Sequence, residues 1–192
     1  MAGRFLRIIS GAYKGRKLHS YPGLSIRPTS DRTRESIFNI LTAIFQSFAG
    51  KRVLDLYAGT GALGIEALSR GAQRATFVES GMPAGAVLRK NVSFIPDPDA
   101  CEIMGVPVSI AIGGLHRRGE QFDLIFMDPP YGKNLIHATL EQLSTTSLCA
   151  PQAAVLCEHF VRDAVSQQYG RLQLFDSRRY GQTVVSFFSL SE

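Results

Sequence analysis

Several features of secreted, membrane and metal-stabilised proteins are missing from this sequence. Its 192 residues contain three cysteines, Cys101, Cys149 and Cys157, and none of them belongs to a C-x-x-C pair. An odd number of thiols without paired spacing argues against a disulfide framework and against a structural metal site. We therefore predict reduced cysteines and no bound metal ion.

Long apolar segments are also absent. No run of about 18 apolar residues appears that could span a bilayer, and "MAGRFLRIIS" lacks the apolar segment that follows the charges of a secretory signal. Neither a Ser/His/Asp order nor H-E-x-x-H is present, which argues against a serine hydrolase and a zinc protease. These absences predict a cytoplasmic protein without a membrane partner.

The positive charge of the chain is concentrated at its beginning. The net charge is +5, and residues 1–50 hold eight of the 21 basic residues but only two acids, so they carry the whole excess. A localised positive surface is typical of proteins that bind a polyanion, although a solvated basic face would give the same pattern. The candidate contacts are Arg4, Arg7, Lys14, Arg16, Lys17, Arg27, Arg32 and Arg34.

Apolar strands alternate with helical patterns along most of the chain. The predicted strands include "RVLDLY", "ATFVE", "FDLIFMD", "AAVLCEH" and, more weakly, "VPVSIAI", and the last two strands form a hairpin around Gly181. The predicted helices include "ALGIEALSRG", "PAGAVLRKNV" and "KNLIHATLEQLST". This alternation predicts an α/β fold with a parallel sheet covered on both faces. Upstream, "RFLRIISGAYKGRKLHSY" predicts a hairpin, and Ser30 or Asp31 can begin a helix.

A glycine-rich segment, "DLYAGTGALGIEAL", lies between a predicted strand and a predicted helix. Gly59, Gly61 and Gly64 form the pattern G-x-G-x-x-G, and Glu79 ends the next strand, 20 residues after Gly59. Such glycines admit an adenosine-containing cofactor, and the acid binds its ribose hydroxyls. By itself the pattern is also compatible with a nicotinamide dehydrogenase or with tight helix packing.

The position of Asp55 favours one of these cofactors. It ends the strand four residues before Gly59, next to the helix N-terminus where a dinucleotide would place its pyrophosphate. A carboxylate there would repel the phosphates. S-adenosylmethionine has no phosphate and carries an ammonium and a sulfonium group, which an acid attracts. Asp55 therefore indicates a methyl-donor site.

A second motif, "LIFMDPPY", ends another strand at the same edge of the predicted sheet. The prolines make the loop stiff, so that the Asp128 carboxylate and the Pro129 carbonyl can accept hydrogen bonds from the exocyclic amine of a base. Tyr131 would stack on that base. Catalysis would then depend on orientation and on dipoles fixed in advance. The alternative is a proline-rich turn capped by Asp128.

In this order, the motifs resemble the amino-group methyltransferases of nucleic acids, and more specifically the bacterial 16S rRNA guanine-N2 methyltransferases of the RsmD type. The resemblance covers the chain nearly end to end. It rests on "RIISGAYKGRKL", "RPTSDRTRESIFNIL", "VLDLYAGTGALGIEALSRGA", "FVE", "FDLIFMDPPY" and "RRYGQT". It implies a Rossmann-like, seven-stranded S-adenosylmethionine-dependent methyltransferase sheet with a reversed last strand, extended by an N-terminal hairpin and helix.

The resemblance also implies domain boundaries, site residues and a partner. Residues 1–30 would form a basic hairpin extension and residues 31–192 the methyltransferase domain. The cofactor would contact Asp55, Tyr57, Ala58, Gly59, Thr60, Gly61 and Glu79, and the catalytic loop would consist of Asp128, Pro129, Pro130 and Tyr131. The partner would be ribosomal RNA, free or within an assembled small subunit, and the protein would act as a monomer.

Two other functions are compatible with these residues. An adenine-N6 methyltransferase acting on DNA or RNA can also use D-P-P-Y, and a non-catalytic RNA-binding assembly factor could keep the same fold. One departure from the family concerns the adenine of the cofactor, because residues 103–119 contain no Asp, Glu, Asn or Gln. Either Ser109 or a backbone group is therefore predicted to contact that adenine, or the affinity for the cofactor is reduced.

Overall fold

The computed structural model describes residues 6–20, 31–130 and 135–191. Its strands are β1 (Arg52–Leu56), β2 (Arg74–Val78), β3 (Cys101–Met104), β4 (Phe122–Met127), β5 (Cys149–Phe160), β6 (Gln168–Tyr169), β7 (Leu172–Tyr180) and β8 (Thr183–Leu190). Its helices are α1 (Asp31–Phe45), α2 (Ala62–Ser69), α3 (Met82–Val92), α4 (Val108–Arg117) and α5 (Leu135–Ser144), with a 3₁₀ turn at Pro98–Ala100.

All the described strands belong to one sheet in the order β3-β2-β1-β4-β5-β8-β7-β6. The first five strands of this order are parallel to one another, and β8 runs antiparallel to both β5 and β7. The predicted α/β fold with a reversed last strand is therefore confirmed. The sheet has eight strands where seven were predicted, because the two-residue strand β6 adds a short edge to β7.

Helices cover both faces of the sheet, as the continuous apolar strands require. One face packs against α1, α2, α3 and the N-terminal hairpin, and the other packs against α4 and α5. Along β1, Val53 faces the first layer, whereas Leu54 and Leu56 face the second. Asp55 is therefore directed toward the layer that contains α2. No helix within the described ranges is long and apolar enough to cross a membrane.

The prediction of a strand at "VPVSIAI" was wrong. The third strand is Cys101–Met104, and Val108–Arg117 forms helix α4. The buried residues Val108, Ala111, Ile112 and Leu115 have the spacing of one helical face. Pro107 immediately precedes the first turn, where a missing N–H group costs no helical hydrogen bond. A seven-residue apolar segment is too short for its periodicity to distinguish a strand from a helix.

The N-terminal hairpin is present but does not project from the domain. Its arms form a single antiparallel bridge between Arg7 and Lys17. The backbone N–H groups of Ile9 and Ser10 donate to the Glu66 carboxylate at 2.7 and 3.0 Å, and that of Tyr13 donates to Ser69 Oγ at 3.0 Å. The hairpin thus lies flat along α2.

Two glycines of this hairpin allow a matched test of its docking. Gly11 and Gly15 have φ angles of 84° and 83°, so alanine is equally strained at both. A Cβ on Gly11 would lie 1.8 Å from the carbonyl oxygen of Ser69, whereas nothing lies within 4 Å of a Cβ on Gly15. We expect Gly11→Ala to lower the free energy of unfolding by at least about 2 kcal/mol more than Gly15→Ala, because it displaces the hairpin. Urea denaturation measures both, and equal losses would contradict close docking.

Candidate active site

The two motifs meet because β1 and β4 are neighbouring parallel strands. Leu56 of β1 pairs with Met127 of β4, so Tyr57 and Asp128 are the next residues on strands about 4.8 Å apart. Leu56 also pairs with Val78 of β2, immediately before Glu79. The carboxyl ends of these strands therefore gather the glycine loop, Glu79 and Asp128 at one edge of the sheet.

The glycines of the loop have different structural roles. Gly59 and Gly61 have φ angles of 54° and 79°, and Gly61 precedes the first residue of α2 in a left-handed conformation. Gly64 lies inside α2, where an added Cβ would come within 2.4 Å of the Phe77 ring on β2. Gly64 therefore lets the helix approach the sheet closely, and the first two glycines shape the turn.

The other predicted loop residues are held between neighbouring elements. Tyr57 also has a positive φ of 60°, and its hydroxyl is 2.8 Å from Thr139 Oγ1 on α5. The Ala58 N–H donates to the Val78 carbonyl at 3.0 Å. Thr60 is buried. The loop is thus fixed on both sides, and within it Gly59 is only partly buried.

Asp55 is a buried carboxylate without a basic partner among the described residues. Its side chain is 3% exposed, and Oδ2 accepts a hydrogen bond from the Gly64 N–H at 2.9 Å. Burial raises the pKa of Asp55 to about 7, the Gly64 hydrogen bond opposes this rise, and the nearby Glu79 adds to it. A cationic ligand would stabilise the ionised form, whereas a phosphate would destabilise it. These properties fit S-adenosylmethionine.

Glu79 connects the loops that follow β1 and β2. Its carboxylate accepts hydrogen bonds from the N–H groups of Gly59 and Gly81 at 2.9 and 2.6 Å. The 20-residue spacing seen in the sequence thus becomes a direct contact. An ionised carboxylate has about four acceptor positions, so two remain for the hydroxyls of a ribose. Its role in ribose binding remains a prediction.

Asp128 lies half-buried at the same edge, followed by a buried Pro129 and an exposed Pro130. No described residue donates a hydrogen bond to its carboxylate. Burial, and then the neighbouring acids Glu158 and Asp55, raise the pKa of Asp128 well above its ordinary value. Tyr131, the predicted stacking residue, lies outside the described residues. The loop therefore presents an acceptor group at the position that the motif predicted.

Glu158 was missed by the reading of the sequence. It is 3% exposed and lies on β5, where the preceding Cys157 pairs with Met127, so Glu158 and Asp128 are neighbours on parallel strands. The signal was available, since an acid interrupts the apolar strand "AAVLCEH" just as Asp55 interrupts "RVLDLY". Acids near the carboxyl ends of neighbouring parallel strands lie close together at one edge of the sheet.

The basic residues of the N-terminal segment are divided between surface and core. The exposed ones are Arg7, Lys14, Arg16, Lys17 and Arg32, whereas Arg4 and Arg27 lie outside the described residues. Arg7 pairs with Asp31 at 3.0 Å. Lys14 lies in the turn that contacts Ser69 at the far end of α2, about 12 Å along the helix from the glycine loop. Lys14 is therefore remote from the edge of the sheet that carries the glycine loop and Asp128.

Arg34 does not lie on the predicted phosphate-binding surface. It is 1% exposed, and its Nη2 donates to the Arg7 carbonyl at 2.6 Å and to Asp31 Oδ1 at 2.8 Å. Burial lowers the pKa of its guanidinium, which the nearby Asp31 partly offsets. The guanidinium ties α1 to the hairpin and does not reach the surface. A positive charge in the sequence could not distinguish this internal role from an RNA contact.

The predicted contact with the adenine of the cofactor remains a prediction. Ser109 lies exposed in the first turn of α4, near the carboxyl end of β3. Its carbonyl accepts a hydrogen bond from Gln142 Nε2 at 2.9 Å. The Glu79 N–H donates to the Met104 carbonyl at 3.1 Å, which holds the ends of β2 and β3 side by side.

The sheet order, the glycine loop after β1 and the acid after β2 define an S-adenosylmethionine-dependent methyltransferase. A family model described as "Conserved hypothetical protein 95" matches residues 6–189. The chain belongs to this family, which includes the proteins of the RsmD type.

Known relatives match nearly the whole chain. "Putative rRNA methyltransferase YlbH" of Bacillus subtilis is 33% identical over 95% of this chain and 98% of its own length. "Ribosomal RNA small subunit methyltransferase D" of Escherichia coli is 32% identical over 95% of this chain and 89% of its own length. The solved structure of "Putative methyltransferase yhhF" from Escherichia coli has a TM-score of 0.82 and 30% identity, covering 96% and 97% of the two chains.

We expect the affinity for S-adenosylmethionine to depend on the ionisation of Asp55. As the pH rises through about 7, Asp55 loses its proton and attracts the cationic ligand more strongly. Asp55→Asn should bind more weakly and should lose this part of the pH dependence. Calorimetric titrations at several pH values measure both proteins. Asp123→Asn, at the opposite end of β4, is the control and should keep the wild-type profile.

Asp55→Asn should weaken cofactor binding but should stabilise the folded protein in the absence of cofactor. Because the folded-state pKa of Asp55 is raised, its contribution to stability is greatest below about pH 4 and is lost as the pH rises through about 7. Without cofactor at about pH 8, Asp55→Asn should therefore be more stable than the wild type, by an amount on the order of 1–4 kcal/mol. Lower stability together with unchanged affinity would show that Asp55 serves only as a cap for α2.

Proposed function

We propose that the protein transfers a methyl group from S-adenosylmethionine to the N2 amine of a guanine in 16S ribosomal RNA. The observation that carries this proposal is the position of Asp128 and Pro129, directly beside the glycine loop on a neighbouring strand. The names of the relatives, which include a ribosomal RNA small subunit methyltransferase D, support the class of substrate. Such a substrate is consistent with a cytoplasmic location.

The residues around the glycine loop would hold the cofactor. Asp55 would balance its positive charge, Glu79 would accept hydrogen bonds from the ribose, and Gly59 and Gly61 would let the backbone approach its methionine part. When bound, S-adenosylmethionine supplies a methyl group on a positively charged sulfur. The buried position of Asp55 gives this attraction a low-dielectric setting, where it is stronger than in water.

The acceptors at Asp128 and Pro129 would activate the amine. Its lone pair is delocalised into the base, so the nitrogen is a poor nucleophile until its hydrogens are held by acceptors. The Asp128 carboxylate and the Pro129 carbonyl would accept hydrogen bonds from the two N–H groups of the amine. These bonds would direct the nitrogen lone pair toward the methyl group. Positive charge that develops on the nitrogen during the attack would be stabilised by the carboxylate. Pro129 is buried and its ring restricts the backbone, so the acceptors need little reorganisation.

The neighbouring carboxyl groups favour guanine over adenine. Guanine presents N–H donors at both N2 and N1 on one edge, whereas adenine presents a donor at N6 and an acceptor at N1. Asp128 and Glu158 provide two acidic groups on adjacent strands. An acceptor at Glu158 beside Asp128 would match the second donor of guanine, a donor that adenine lacks at this edge.

The exposed basic residues of the N-terminal segment would bind RNA phosphates. Arg7 and Lys17 lie on the paired arms of the hairpin, Lys14 lies at its turn, and Arg32 lies in the first turn of α1. Residues 1–30 would thus act as an RNA-binding extension of a methyltransferase domain formed by residues 31–192, with one chain sufficient for activity. Each neutralised phosphate releases counterions, so this binding should weaken with salt.

The nature of the product tests the proposal directly. The protein is incubated with isotope-labelled methyl donor and, separately, with free 16S rRNA, small ribosomal subunits and DNA, and the labelled nucleoside is then identified. We expect N2-methylguanosine from one of the ribosomal substrates. Labelled N6-methyladenosine would instead support the adenine-specific alternative. Absence of label from every substrate, with the cofactor bound, would support a non-catalytic assembly factor.

Asp128 should affect turnover much more than binding, because its interaction strengthens as the nitrogen gains positive charge. We expect Asp128→Ala to reduce turnover by a factor on the order of a hundred, as for the loss of one preorganised catalytic hydrogen bond. Asp128→Asn keeps one carbonyl acceptor and should retain partial activity. Single-turnover methylation and cofactor titration separate the two effects. Near-normal turnover in Asp128→Ala would show that the D-P-P-Y loop is a structural turn without a catalytic role.

A further inference from the structure

A buried asparagine connects the N-terminal segment to the glycine loop. Asn91 lies on α3 and is 1% exposed. Its Nδ2 donates to the carbonyl oxygens of Thr60 at 2.9 Å and of His19 at 3.0 Å, and its Oδ1 accepts from the His19 N–H at 2.7 Å. Both hydrogens and the oxygen of one side-chain amide are therefore used to join two separate backbone segments.

One of these segments is the turn that would hold the cofactor. Thr60 lies between Gly59 and Gly61, both of which have positive φ angles. Glycines permit this conformation but do not enforce it, so the loop depends on outside contacts for its order. Asn91 provides one by fixing the Thr60 carbonyl. The glycine loop packs closely against α3, since a Cβ on Gly61 would lie 2.5 Å from Cδ1 of Leu88, which is one turn before Asn91 on α3.

The other segment carries the basic residues proposed to bind RNA. His19 follows Lys17, which is exposed, and Leu18, which is buried in the core, and the chain then leads to Arg32 in the first turn of α1. The Asn91 amide holds both the N–H and the carbonyl of His19. The end of the hairpin arm is thus bound to the same side chain as the cofactor loop.

We propose that Asn91 is a positioning residue that couples the two sites, so that the methyl donor and the RNA each increase the affinity for the other. Order imposed by RNA on the His19 segment would pass through one side chain to the Thr60 peptide, and order imposed by the cofactor would pass in the reverse direction. A ligand that binds an already ordered segment loses less entropy, which gives positive coupling without a large movement. Such coupling must be reciprocal. The inference rests on the proposed function, because it requires RNA at the N-terminal segment.

The chemistry of an amide is necessary for this role. An aspartate at position 91 would place a carboxylate against two carbonyl oxygens and could accept only the His19 N–H. An alanine would leave the N–H and carbonyl of His19 without this partner, and it would leave the carbonyl of the buried Thr60 without it as well. Either change should free the two segments from each other.

Binding measurements that need no turnover test the coupling. Calorimetry gives the affinity for S-adenosylhomocysteine, which cannot donate a methyl group, with and without 16S rRNA. We expect the RNA to increase the affinity of the wild-type protein for S-adenosylhomocysteine by a factor of at least about 5. S-adenosylhomocysteine should increase the affinity for RNA by the same factor. In Asn91→Asp and Asn91→Ala this factor should fall to near one. Thermal unfolding identifies any variant that fails to fold, and Asn91→Ser is then the replacement.

Ser69→Ala is the matched control. The Ser69 hydroxyl accepts from the Tyr13 N–H at 3.0 Å and donates to the Ser10 carbonyl, so its loss loosens the hairpin at the end remote from Thr60. This variant should keep the coupling factor. An equal loss of coupling in Ser69→Ala, or a factor of one in the wild type, would overturn the proposal. If neither 16S rRNA nor small ribosomal subunits bind the wild-type protein, the proposed function itself fails, and that result is distinct from binding without coupling.

Discussion

A buried carboxylate that has no basic partner among the described residues is the feature on which the site depends. Asp55 lies inside the core, one residue before the end of β1, where the Gly64 amide stabilises its charge only in part, and burial raises its pKa to about 7. Burial of an uncompensated charge is unfavourable for a fold. The arrangement becomes favourable when a cationic ligand occupies the edge of the sheet, so the cofactor site is a point of electrostatic instability in the free protein.

The surrounding structure keeps this carboxylate and the neighbouring acids in place. Parallel pairing brings the carboxyl-end portions of four strands together, and each of these strands carries an acid near that end or is followed by one. These acids are Asp55, Glu79, Asp128 and Glu158. Gly64 allows α2 to pack on β2 closely enough for its amide to reach Asp55. The same helix carries Glu66, whose carboxylate holds the N-terminal hairpin. One short helix therefore contacts both the glycine loop and the N-terminal hairpin.

Local sequence patterns were sufficient to predict an element where only one type of structure could satisfy the burial of its residues. Buried parallel strands must be continuously apolar, so β1, β2 and β4 were predicted with nearly their observed ends. Sequence patterns failed where the same residues were compatible with two different structures or roles. The apolar residues of α4 were compatible with a strand until their burial showed the helical face. The charge of Arg34 likewise suited RNA or an internal bond, and only its 1% exposure distinguished the two.

The sequence by itself determined the α/β fold, the glycine turn, the acid that favours a cationic cofactor and the stiff D-P-P-Y loop. Each of these follows from the backbone restrictions or the charge of a few adjacent residues. Only the tertiary structure placed Glu158 beside Asp128, docked the hairpin on α2 and joined His19 to Thr60 through Asn91. These contacts connect residues that are distant along the chain, and their partners are decided by strand register and helix packing, which no local pattern specifies.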